Sequence, residues 1–337
     1  MMHELKNIVA AYKNARATGL KAVLATVVAL DGSSYRRPGV RMLLLENGGA
    51  YGAVSGGCVE KEVHRQAAEV FATGQTKMMT YDGRFRLGCE GILYILLEPF
   101  APGSDFLEAF QSLSSNRKPV RLRSWYHQEV GCYPGMGTAL VLGDQLVFAG
   151  QEPVTGHDLR LFEQELAPCL RLEIFGGEHD SVQLCALASQ AGWEVGVTVA
   201  ADEKKSLENF PGASEFRAVI PEHVEAGPMD RQTAVLLMTH SYTKDLKYLL
   251  QLRHSAPGYL GILGPAKRRE RLIGDFLERY PEAPDNLFEV IRGPAGINIG
   301  AETPQEIAIS ILAEILSVFR ATEPMALRDK KGAIHDL

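Results

Sequence analysis

Apolar residues recur along this 337-residue chain in two rhythms, one of period two and one near 3.6, and the changes between them mark its elements. Leu5 to Thr18 reads as a helix and Val23 to Leu30 as a strand. Arg41–Leu45 and Ala50–Val54 read as paired strands around the turn Glu46-Asn47-Gly48-Gly49. Val59, Val63, Ala67, Val70 and Phe71 then fall on one helical face, which Gly74 can end. Ile92 to Leu97 is an apolar run of buried-strand type, closed by Glu98-Pro99. After a break at Pro102-Gly103-Ser104 the pattern predicts a helix over 106–113 and a strand over 120–126. A hairpin follows, 138–142 with 145–148, across Gly143-Asp144. Residues Gln151 to Glu163 are polar and read as a linker.

From Leu170 the rhythm becomes strand, helix, strand: 170–175, a helix through Ala191-Gly192, then 195–199. Further strands are expected at Val235–Met238 and Tyr259–Leu263, with functional groups gathering at their carboxyl ends. Thr303-Pro304-Gln305-Glu306 combines an N-cap, a proline start and a capping-box glutamate, and Ile307, Ile311, Leu312, Ile315 and Phe319 give the last helix a broad apolar face. The expected fold class is α/β, an N-terminal α/β domain followed by a Rossmann-like domain with a mainly parallel sheet. The expected domains are 1–150 (core 1–100, extension 101–150) and 165–322, with a tail over 323–337.

Composition narrows the classes. Hydrophobic content of 46% and a charged fraction of 23% are those of a globular protein, and a net charge of −6 argues against a general nucleic-acid binder. No apolar run approaches membrane-spanning length, and Met1-Met2-His3-Glu4 lacks a signal-peptide core, so the chain reads as cytoplasmic. Five cysteines, without CxxC pairs, describe neither a disulfide framework nor a structural zinc site.

Three glycine-flanked loops carry the candidate chemistry. In Ser55-Gly56-Gly57-Cys58 a thiol falls at a helix start, where unpaired N–H groups favour anions and the thiolate. The bland alternative, a small buried hydrophobe in a turn, weighs about as much. Gly88-Cys89-Glu90-Gly91 repeats the pattern before a strand. Gly32 to Arg41 offers hydroxyls and the guanidinium candidates Arg36, Arg37 and Arg41, for which simple solvation is the alternative. In the second half, Gly176-Gly177-Glu178-His179 opens a compromised dinucleotide fingerprint. Glu178 stands where glycine would admit the pyrophosphate, and it can fold onto the helix N-terminus instead. NAD(P) binding is therefore disfavoured, and His179 is a ligand contact or a surface histidine. The basic turn Gly264 to Arg269 is a candidate anion site or a solvated helix start.

These motifs together resemble the XdhC/CoxI family of xanthine dehydrogenase accessory proteins. The matching stretches are Gly32-Ser33-Ser34 with Arg36-Arg37-Pro38-Gly39, Ser55 to Glu60, Leu87-Gly88-Cys89, Phe175-Gly176, Thr239-His240, Leu263-Gly264 and Ile299 to Ala308. The resemblance implies a non-enzymatic chaperone that binds molybdenum cofactor (molybdopterin) and delivers it to an apo molybdenum hydroxylase. A cysteine desulfurase-type sulfur donor is a compatible partner, and a homodimer is implied. It implies cofactor binding by Cys58, Cys89, Ser55, Gly56, Gly57, Arg36, Arg37, Gly176, Gly177 and His179, with Cys58 on the metal side. Glu90, Glu178 and Ala200 depart from the family pattern. Competing readings are an NAD(P)-dependent oxidoreductase and a thiol redox protein using Cys58 and Cys89.

Overall fold

The computed structural model describes every residue except 33–36, 84–90, 151–157, 226, 228, 283–284 and 333–337, together with the side chains of residues 58, 285 and 286. The chain forms two compact units, Met1–Pro168 and Cys169–Leu337. No helix among the described residues is long and apolar enough to cross a membrane.

The first unit begins with α1 (Met2–Ala17), β1 (Ala22–Asp31), β2 (Arg41–Leu45), β3 (Ala50–Gly52), α2 (Cys58–Thr73), β4 (Lys77–Asp82) and β5 (Ile92–Pro99). It continues with α3 (Ser104–Ser115), β6 (Val120–Tyr126), β7 (Gly131–Cys132), β8 (Gly137–Leu142), β9 (Gln145–Phe148) and β10 (Arg160–Leu166). One sheet has the order β3-β2-β1-β5-β4-β7, and its described ladders are all antiparallel. Side chains alternate across it as period two requires. Val23, Ala25, Val27, Met42, Leu44, Ile95 and Leu97 form one core with Val59, Val63, Ala67 and Val70 of α2. This is the helical face anticipated from the sequence. The strand expected over 50–54 stops at Gly52, whose φ of 80° and close approach to the Arg41 carbonyl require glycine.

Residues 160–163, expected within a linker, instead belong to β10. That strand pairs with β6 in a second antiparallel sheet of order β10-β6-β8-β9. Its polar side chains are cross-strand partners: Arg123 meets Glu163 at 2.6 Å and Arg121 meets Glu165 at 3.1 Å.

Between the two sheets lies a buried polar layer. Arg41 is 5% exposed and donates through Nη1 to the Gly39 carbonyl (2.9 Å) and to Gln164 Oε1 (2.5 Å). Glu98, 2% exposed, accepts from the Thr138 amide (2.8 Å) and shares a 2.5 Å hydrogen bond with the Thr138 hydroxyl, which in turn meets Ser124. Arg41 is thus a structural residue rather than a third surface guanidinium.

The second unit contains β11 (Arg171–Phe175), α4 (His179–Gln190), β12 (Glu194–Ala200), β13 (Glu215–Val219), β14 (Thr233–Leu237), α5 (Tyr242–Gln251) and β15 (Tyr259–Ile262). It ends with α6 (Ala266–Arg279), α7 (Asp285–Glu289), β16 (Ile291–Arg292) and α8 (Pro304–Phe319). All five ladders are parallel, and the order β13-β12-β11-β14-β15-β16 is the 3-2-1-4-5-6 order of a dinucleotide-binding sheet. Helices α4 and α8 cover one face, and α5 and α6 cover the β14–β15 half of the other. Among the described residues, the β13–β14 connection contains only the short 3-10 turn Pro221–His223. The neighbouring strand face accordingly carries charge: Glu173, 2% exposed, accepts from Arg171 (2.5 Å) and Arg217 (2.6 Å). The predicted capping box of α8 is present, with Glu306 accepting from the Thr303 amide and the Thr303 hydroxyl accepting from the Glu306 amide.

The buried layer has a pH signature. Burial pushes the Glu98 carboxyl up to about 7 from an ordinary 4.5, against the opposing pull of Thr138 and Arg41. A carboxyl raised in the folded state binds its proton more tightly there than in the unfolded chain. Its stabilising contribution is therefore complete below the unfolded value and is lost as pH rises through about 7. Urea unfolding should show stability falling between about pH 5 and pH 7.5, by at most on the order of 3 kcal/mol. Glu98→Gln, which keeps the hydrogen-bond geometry without the charge, should flatten that fall. A profile identical in both proteins would show that Glu98 does not titrate in the folded state.

Candidate functional site

The antiparallel register of the first sheet decides where the candidate loops emerge. β1, β3 and β4 run one way and β2 and β5 the other. Hence β1 ends at Asp31, β2 begins at Arg41, β3 ends at Gly52, β4 ends at Asp82 and β5 begins at Ile92, all at one end of the sheet. Asp31, Ile92 and Asp82 even lie in one cross-strand row. The three connections containing Arg36 and Arg37, Ser55 to Cys58, and Cys89 therefore all leave the same end. Arg36 and Cys89 themselves lie outside the described residues. Arg37 is exposed.

The middle loop is described in most detail. Gly57 is the N-cap of α2 with φ of 114°, a left-handed conformation that suits glycine, and Cys58 is the first helical residue. Gly56 and Gly57 are exposed, and a Cβ on either would meet none of the described residues within 4 Å. Open room thus lies beside the helix start that bears the thiol. The cradle of N–H groups expected there is partly filled by the chain itself. Glu60 accepts from the Ser55 amide (2.7 Å) and the Gly57 amide (2.6 Å). Sequence reasoning noted Glu60 in the motif but missed this role, although a glutamate three residues after an N-cap is a readable capping signal. An anion at this loop must then depend more on arginine than on these two amides.

In the second unit the loop after β11 sits at the switch point between β11 and β14. Gly176 has φ of 138°, and a Cβ there would lie 2.5 Å from the Met238 carbonyl, so the glycine serves the packing of the loop against the end of β14. Gly177 is buried, while Glu178 and His179 are exposed. Glu178 is the N-cap residue of α4, but its side chain makes no capping hydrogen bond, contrary to the expectation that it folds onto the helix end. His240 has a positive φ of 55° and places Nε2 3.2 Å from Asp180 Oδ2 in the first turn of α4. Behind it, fully buried Asp245 accepts from the Thr239 amide (3.2 Å) and hydroxyl (2.6 Å) and from Arg268 Nη2 (2.6 Å).

That last pair corrects the reading of the basic turn. Arg268 neutralises Asp245, and Arg269 donates to the Gly293 carbonyl at 2.8 Å. These two cations are engaged within the unit instead of forming an anion site. Of the other thiols, Cys185 is buried and pushed up to about 11 by that burial, which makes it a poor nucleophile. Cys132 is exposed, and burial and Glu69 raise it as well.

Comparison with known proteins agrees across both units. A model of the XdhC Rossmann domain matches residues 172–315, and a model of the XdhC and CoxI family matches residues 15–82. A Bacillus subtilis protein described as a probable xanthine dehydrogenase subunit is 29% identical over 88% of this chain and 92% of its own length. The molybdenum cofactor insertion chaperone PaoD of Escherichia coli is 28% identical over 89% of this chain and 84% of its own. A crystal structure described as a xanthine dehydrogenase from Bacillus halodurans superposes with a TM-score of 0.75 at 27% identity, covering 94% of this chain and 96% of that one. Matched in each half by a model of the same family, the chain belongs to the XdhC/CoxI family.

Proposed function

We propose that this chain is a maturation factor that binds molybdenum cofactor as cargo and delivers it to an apo molybdenum hydroxylase of the xanthine dehydrogenase type. The observation that carries this reading is the emergence of three functional-looking loops from one end of a single antiparallel sheet, beside the start of α2. The relative named as an insertion chaperone supports the same cargo.

The chain's own residues fit such a cargo by chemistry and by room. The cofactor brings a phosphate and a dithiolene-held metal. Arg36 and Arg37 provide guanidinium forks for the phosphate. Cys58, the first residue of α2, provides a soft group on the metal side, with Cys89 as a second. The bare backbone of Gly56 and Gly57 lets a bulky ligand approach, since none of the described residues fills the space at their Cβ positions. Ser55 and Gly57 hold the loop in shape through Glu60. In this role Cys58 binds and orients and is not consumed, and a cysteine desulfurase-type donor would meet the cargo at the same end of the sheet.

Protein purified from cells that make active cofactor should carry a pterin, read by fluorescence after oxidation. Cys58→Ser should leave thermal unfolding unchanged and reduce activation of an apo-hydroxylase by about tenfold or more, the scale of losing one soft contact worth roughly 1.4 kcal/mol. A pterin-free protein, or full activation by the serine variant, would reject the assignment. Glu60→Ala should act differently, lowering stability in urea by about 1 kcal/mol, as loss of a helix cap does. Unchanged stability would show that its two short hydrogen bonds do not anchor the loop.

A further inference from the structure

A sheet of order 3-2-1-4-5-6 ordinarily takes a dinucleotide across the carboxyl ends of its two central strands, here β11 and β14. The residues at that crevice do not fit one, and the misfit goes beyond Glu178. We propose that Lys244, with Glu203 and Asp202, forms an ionic strap that closes the crevice to dinucleotides. In this arrangement the Glu203 carboxylate takes the place over the glycine loop that a ligand's anionic group would need.

Three observations carry the proposal. The first is at Gly177, where a built Cβ would lie 2.6 Å from Glu203 Oε2 and 3.0 Å from Val199 Cγ1. In a binding loop such a glycine admits the ligand; here the close approach is made by the chain's own carboxylate. A tight turn after β12, with the Glu203 amide donating to the Ala200 carbonyl at 2.9 Å, brings Glu203 back over the loop.

The second is topological. Lys244 belongs to α5, which follows β14, whereas Asp202 and Glu203 follow β12. β12 and β14 flank β11 in the sheet. The Lys244 ammonium lies 3.1 Å from Glu203 Oε1 and 3.2 Å from Asp202 Oδ1, so the ion pair joins the loops on either side of β11, across the path a pyrophosphate takes. The third is a balance of charge and hydrogen bonding. Glu203 Oε2 is buried with no hydrogen-bond partner among the described residues, and two carboxylates face one ammonium. The Glu203 oxygen turned toward Gly177 would repel a phosphate entering over the glycine loop. Asp202, the nearest acid after β12, is tied to Lys244 rather than presented to a ribose.

Titration of the full chain with NADH, followed by nicotinamide fluorescence and by calorimetry, tests the strap. The wild-type protein should show no saturation up to about 100 μM, whereas Glu203→Ala should bind NADH at least roughly tenfold more tightly, because it removes the carboxylate over Gly177 and leaves Lys244 held only by exposed Asp202. Glu203→Gln keeps the volume without the charge and should fall between the two. Circular dichroism and thermal unfolding report whether each variant is folded. Saturable micromolar binding by the wild type overturns the proposal. So do folded Glu203→Ala and Glu203→Gln proteins that bind NADH no better than wild type. Neither result bears on cofactor carriage by the first unit, which the Cys58→Ser experiment addresses separately.

Discussion

The first unit depends on a costly arrangement, a guanidinium and a carboxyl held out of water between two sheets. Arg41 and Glu98 stand on strands either side of β1, and each reaches a different strand of the second sheet, Gln164 on β10 and Thr138 on β8. Burial alone would favour the neutral form of both groups, and each one's charge offsets part of that cost for the other. An apolar layer would tolerate sliding of one sheet over the other, whereas directional hydrogen bonds fix which strand faces which. The same strands carry the candidate loops at their ends, so this layer sets the frame of the loop-bearing end.

Much of that frame was legible in the sequence because glycine and alternation are strong local signals. The turn at 46–49, the helix from Cys58 with its Val59, Val63, Ala67 and Val70 face, and the Thr303 capping box follow from spacing alone. The misreadings share one cause, that charge seen in sequence does not reveal its partner. Glu163 looks like a linker residue until Arg123 is found across the ladder. Arg41, Arg268 and Arg269 look like solvated or anion-binding cations until Gln164, Asp245 and the Gly293 carbonyl are placed beside them. These partners are distant along the chain, and no local pattern encodes them. Glu60 is the exception, since its partners are three and five residues away.

The two units treat glycine-rich helix starts in a related way. At α2 the amides of Ser55 and Gly57 are satisfied by Glu60. Over the loop before α4 the space at Gly177 is filled by Glu203. In each case a carboxylate from the same unit sits where an anionic ligand is ordinarily received. At α2 the glycines stay exposed, while at α4 the ion pair with Lys244 spans the opening. A glycine loop ahead of a helix is therefore evidence for close approach, and only the surrounding side chains tell what approaches.

The register of β1 also has a kinetic consequence. β1 pairs early in the chain with β2 through a local connection, but its other neighbour is β5, which is synthesised only after α2 and β4. Closing that long loop costs entropy before any contact is gained, so the β1–β5 ladder is a slow, late event relative to the β2–β3 hairpin. Until it forms, the loop before β5 has no anchor opposite Asp31. The loop-bearing end is thus complete only when the whole sheet is, and a chain caught partway through folding would offer the Cys58 helix before β5 had joined the sheet.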